Sequence, residues 1–144
     1  LILDNDNNKM DMSELERAYK KIEEESDVKL LKLGYIPSDL LLENLVISQD
    51  RVILQFSYRG NKVYFVQGCS INTTSLTAKS DRMFRTEIVK NEWMNQDVEI
   101  RENQLENGDI EYEAQFYYEN AYYMLSGKMD KEDFISIIKN VNYF

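Results

Sequence analysis

The chain contains no histidine in its 144 residues. Without an imidazole it lacks the usual general base near neutral pH, the Ser or Cys triads that depend on one, and the ligand found in most zinc sites. Cysteine is reduced to Cys69, so no intrachain disulfide can form, and a lone thiol is most often a small buried hydrophobe. The five glycines lie far apart, which excludes a glycine-rich phosphate cradle. No run reaches the roughly twenty apolar residues of a membrane span, and no stretch of these residues reads as a signal peptide. Direct membrane insertion by these residues is therefore not expected. The first residue is Leu1 rather than Met, and we expect a targeting or anchoring segment to have preceded it.

Positive charge is also scarce. Seventeen Lys and Arg face 26 Asp and Glu, giving a formal charge of -9 and a pI near 4.6. The basic residues are scattered singly, whereas phosphate binding needs them clustered, so nucleic acid is not an expected partner. What is present is a 43% hydrophobic complement, enough at this length for one core without staples.

The richest stretch is Asp109 to Val141. Ile110, Tyr112, Ala114, Phe116 and Tyr118 alternate with Glu111, Glu113, Gln115 and Tyr117, the pattern of a half-buried strand. A two-residue turn at Glu119 and Asn120 then pairs Tyr118 with Ala121, Tyr117 with Tyr122, Phe116 with Tyr123 and Ala114 with Leu125. Beyond it, Asp130 is placed to cap a helix, with Met129 and Phe134 as a hydrophobic staple. Phe134, Ile137, Ile138 and Val141 form that helix's apolar stripe.

Residues 1–12 are rich in Asn and Asp and read as a flexible lead-in to a single domain over 13–144. Ser13 and Glu16 form a capping box for a helix to about Ser26, with Leu15, Ala18, Tyr19 and Ile22 on one side. Glu23 to Glu25 close it; consecutive helical carboxylates point apart, so a metal site there is disfavoured. Val28 to Leu42, around Gly34 and Pro37, is an apolar crossing segment whose end, Leu40 to Leu42, reads as either a helical turn or the start of a strand.

Strands follow at Leu45–Ser48, Arg51–Tyr58 and Lys62–Cys69. A turn at Gly60 and Asn61 between the last two pairs Tyr58 with Val63, Phe56 with Phe65, Leu54 with Gln67 and Val52 with Cys69. The polar stretch Ser70 to Arg85 reads as a loop. It holds a glycosylation-type spacing at Asn72 and Thr74, and Lys79, Asp81, Arg82 and Arg85 as candidates for charged contacts. Thr86–Trp93 and Gln96–Asn103 form another strand pair, with Val98 and Ile100 inward, and Asn107 with Gly108 turns into the terminal hairpin. The fold class expected is α+β: a curved antiparallel meander of six or seven strands with N-terminal and C-terminal helices packed against it.

No catalytic constellation, cofactor motif or metal-ligand set emerges. Glu111 and Glu113 share a strand face roughly 7 Å apart, but an open, solvated face does not raise one pKa as glycosidase chemistry requires. The stronger candidate is the outward pair Tyr117 and Tyr122, with Met124 and Gln115, since rigid aromatics on an exposed sheet face make good anchors. Its alternative is cover by the N-terminal helix, which would make the tyrosines core residues.

Gly34, Tyr35, Ile36 and Pro37 entering the sheet, the hairpin turn at Gly60 and Asn61, and the run from Tyr122 to Phe134 (final strand, Gly127, capped helix) resemble the bacterial domain of unknown function numbered 4367 over about Val28 to Phe144. The resemblance implies an extracytoplasmic, membrane-tethered domain in Gram-positive-type bacteria that senses or binds a protein or cell-envelope component. It carries over no catalytic residues. The alternative is a carrier of a lipid or other apolar ligand, held between sheet and helices in a cavity lined by Phe56, Phe65, Phe116 and Phe134.

Overall fold

The computed structural model describes residues 2–69 and 84–143, with side chains from 14 to 69 and from 85 to 143. The elements in order are α1 (Ile2–Glu25), β1 (Lys32–Leu33), β2 (Leu40–Ile47), β3 (Arg51–Tyr58), β4 (Asn61–Gly68), β5 (Phe84–Asn91), β6 (Gln96–Gln104), β7 (Ile110–Tyr118), β8 (Ala121–Gly127), α2 (Lys131–Asn140) and β9 (Val141–Asn142).

Helix α1 begins well before the capping box, so residues expected as a flexible lead-in are helical from Ile2 onward. Helix propagation costs far less than nucleation, and the packed turns around Leu15, Ala18, Tyr19 and Ile22 supply the nucleus. Leu40 to Leu42 resolve as the start of β2.

The seven long strands form one antiparallel sheet in the order β2-β3-β4-β8-β7-β6-β5. The α+β class with helices at both ends holds, but the strand path is two meanders rather than one. β4 pairs with β8, not with β5, placing Val66 opposite Met124 and Gly68 opposite Tyr122. A small second sheet pairs Leu33 of β1 with Val141 of β9.

The terminal hairpin has the expected register throughout, because Glu119 and Asn120 both take positive φ (51° and 70°), the turn whose twist matches two flanking strands. The β3–β4 turn falls one residue earlier than expected, at Arg59 and Gly60 (φ 50° and 85°). Phe56 therefore opposes Val63, and Leu54 opposes Phe65. A two-residue shift in pairing leaves every side chain on its expected face. Arg59 tolerates positive φ while its guanidinium binds Asp39 at 2.7 Å and Asp130 at 3.2 Å.

That ion pair also explains the start of α2. Asp130 sits at the N-cap, yet its carboxylate makes no capping hydrogen bond, being drawn to Arg59. Met129 and Phe134 are both buried, as a staple requires. Asp133 accepts hydrogen bonds from Tyr58 (2.7 Å) and Tyr35 (3.0 Å), tying α2 to β3 and to the crossing segment.

One core joins Leu15, Tyr19 and Ile22 of α1 and Phe134, Ile137 and Ile138 of α2 to the inward residues of the sheet, including Val98 and Ile100. Both helices thus lie on the same face. Phe56, Phe65, Phe116 and Phe134 fill that core: the Phe116 ring stacks on Tyr123 at 5.4 Å, and Phe134 packs on Tyr112 at 5.5 Å. Cys69 packs at its margin, where burial raises the thiol pKa.

Two fully buried amides fasten the loops. Gln67 accepts from the Leu31 N–H and donates to the Leu31 carbonyl, both at 2.9 Å. Asn91 donates to the carbonyls of Ile138 (2.8 Å) and Val141 (3.0 Å) and accepts from the Met94 N–H (2.8 Å). Such pairing is what makes a buried amide tolerable.

Candidate functional site

The face opposite the helices carries the sequence-predicted residues. Antiparallel register aligns them into rows across the sheet. One row runs Val46, Ile53, Val66, Met124, Gln115 across five strands, each residue opposite the next. The adjacent row runs Arg51, Gly68, Tyr122, Tyr117. Tyr64 stands one position along β4, beside Gln55 and Ser126. An apolar strip therefore crosses the middle of the outer face, edged by amides and charges.

Tyr117 and Tyr122 are not equivalent. Tyr117 is 51% exposed and Tyr122 only 6%. A Cβ at Gly68 would come within 2.6 Å of the Tyr122 ring, so the missing side chain leaves the seat on which that ring lies. Tyr122 and Val66 are buried, yet both stand apart from the main core. Burial raises the Tyr122 phenol pKa. The two tyrosine rings lie 6.4 Å apart at 48°, and Gln96 Nε2 donates to the Tyr117 carbonyl at 2.9 Å, holding the backbone beneath the exposed ring. Gln115 Nε2 donates to Glu113 at 2.7 Å and lies 3.9 Å from the Met124 sulfur.

Helix cover, the alternative for these tyrosines, is not what buries Tyr122, since α1 and α2 pack into the opposite core. The structure brings Tyr117, Tyr122, Met124 and Gln115 together and adds Val66, Ile53 and Tyr64. These last three carried only a parity signal in their own strands; their neighbours depend on the β4–β8 pairing between strands far apart in sequence. Glu111 and Glu113 also belong to the outer face of β7. Among the described residues no group of three or more Cys, Asp or Glu is placed to hold a metal ion. Lys79, Asp81, Arg82, Asn72 and Thr74 lie outside the described residues, and Arg85 is an exposed residue of β5.

A family model described as domain of unknown function (DUF4367) matches residues 30–141. The chain belongs to this family. The DUF4367 match takes in every strand but the last residue of β9, and all of α2, so the outer face is part of the shared domain while α1 precedes it. DUF4367 occurs in bacterial extracytoplasmic and membrane-anchored proteins. No curated protein and no solved structure matches the chain. No helix among the described residues is long and apolar enough to cross a membrane.

Proposed function

We propose that this DUF4367 domain is a non-catalytic binding or sensing module held outside the cytoplasm by a membrane anchor, and that it engages a protein or cell-envelope component through the outer sheet face. The observation that supports this reading is the apolar strip that neither α1 nor α2 covers among the described residues. Both helices pack on the opposite side, while Tyr117 and Val46 each keep about half their surface in solvent (both 51%). Aromatic anchors beside near-flat apolar area are the usual material of interface hot spots. Gln115, Gln55 and Arg51 provide a polar rim around them.

Tyr122 contributes as a support: seated over Gly68, its ring lies 6.4 Å from that of Tyr117 and limits where the exposed ring can settle. Rigid placement reduces the entropy lost on binding. The test uses the full-length anchored protein and envelope material from its own cells. Retention of the binding component by wild type should weaken about tenfold or more in Tyr117→Glu, with unchanged circular dichroism. Equal retention by the two would overturn the assignment of this face.

A further inference from the structure

On the helix-bearing side a groove of about 640 Å³ opens between the end of α1 and the β5–β6 turn, lined by Glu23, Asp27, Val28, Lys29, Trp93 and Tyr143 among others. Its aromatic wall is a corner, not a platform. Trp93 meets Tyr143 edge-on (5.7 Å, 60°) and Tyr118 at a tilt (5.5 Å, 47°). Aromatic rings attract an ammonium or guanidinium group placed over their faces. A cation is already there: Lys29 Nζ lies 5.2 Å from the centre of the Tyr143 ring and 2.7 Å from Glu119 Oε1. Glu119, followed by the Tyr143 hydroxyl, raises that ammonium's pKa.

We propose that this groove binds an aliphatic ammonium ligand of the polyamine type, and that the Lys29 side chain is the placeholder such a ligand displaces. Charge complementarity names the occupant. Glu23 and Asp27 line the groove, Glu119 stands at its Lys29 end, and the whole chain carries a formal charge of -9. Among the described residues, Glu23 and Asp27 are engaged by long side-chain contacts, to Lys32 at 3.7 Å and Gln49 at 3.4 Å. Several ammonium groups on a methylene chain match carboxylates spread along a groove that also offers Val28, Leu30 and Trp93. Lys29 is joined to its partner at a partly exposed site (33% and 54% for the two side chains), where an ion pair is weak enough to be exchanged.

Trp93 is the sole tryptophan, so intrinsic fluorescence reports on this groove. Spermidine titrated into the wild-type chain should give a saturable change. Lys29→Met should tighten the apparent Kd about fivefold, or about 1 kcal/mol. Lys62→Met, which removes an equal charge from an exposed pair with Glu43, should match wild type. Glu119→Gln should weaken binding while leaving circular dichroism unchanged. The proposal is overturned if neither wild type nor Lys29→Met responds saturably, if the two lysine variants tighten alike so that binding follows net charge, or if Glu119→Gln binds as well as wild type. None of these outcomes bears on the outer face, which lies across the sheet from the groove.

Discussion

Gly68 and Tyr122 show how a single missing side chain sets the shape of a surface. The Tyr122 ring occupies the volume that any Cβ at residue 68 would enter. Gly68→Ala should therefore cost about 1–3 kcal/mol in urea unfolding, the usual range for overpacking, and combining it with Tyr122→Ala should recover part of that loss in a double-mutant cycle. Simple additivity of the two costs would contradict the seat. This relation was not legible in the sequence, because residue 68 meets residue 122 only through a pairing of non-consecutive strands. The parity of Tyr117 and Tyr122 was legible, since a local two-residue turn fixes it; the difference in their exposure (51% against 6%) was not, as one ring stands in solvent and the other lies over Gly68. Gln67 was equally hidden: its alternation marks it as inward but nothing local reveals the Leu31 backbone it clasps. Gln67→Ala should lower stability by about 3 kcal/mol, because it leaves a buried N–H and a buried carbonyl unpaired. A loss below about 0.5 kcal/mol would show that the clasp is dispensable.

At the scale of elements, tyrosine hydroxyls fasten the irregular segments to the sheet and helices. Tyr19 accepts from the Leu33 N–H (3.1 Å), Tyr123 donates to the Lys29 carbonyl (2.6 Å), and Tyr58 donates to Asp133. Burial is the leading cause that pushes Tyr19 and Tyr58 up to about 12, and it raises Tyr123 too. In the unfolded chain these phenols ionise near 10. Above that pH the folded chain holds more protons than the unfolded one, so stability present below pH 10 is lost as pH rises toward 12. The urea midpoint should fall steeply across that window, and less so in Tyr58→Phe; a flat profile would contradict the fastening role. The helix stripe Phe134, Ile137, Ile138 was readable from periodicity alone. The start of α2 was only half readable, because the cap carboxylate is taken by Arg59, a residue placed there by the β3–β4 turn.

Across the whole molecule, two meanders meet at β4 and β8, and the helices cover one side of the joined sheet. Strand number, class and most boundaries follow from local alternation and turn residues. The strand order does not, since it is decided by which apolar edges meet after the hairpins form. Native-state hydrogen exchange should then be slowest in β4 and β8, flanked on both sides, and faster in the terminal strands β2 and β5. Protection greater in β5 than in β8 would mean that the halves are not joined as described. The central claim concerns the side the helices leave uncovered, and the most direct measurement is photo-crosslinking in living cells from the full-length protein. A photoreactive phenylalanine analogue would replace Tyr117 on the outer face or, as the comparison, exposed Lys20 on α1. A discrete adduct from position 117 and none from position 20 is the predicted result. Adducts from position 20 alone would place the partner on the helix side and contradict the account.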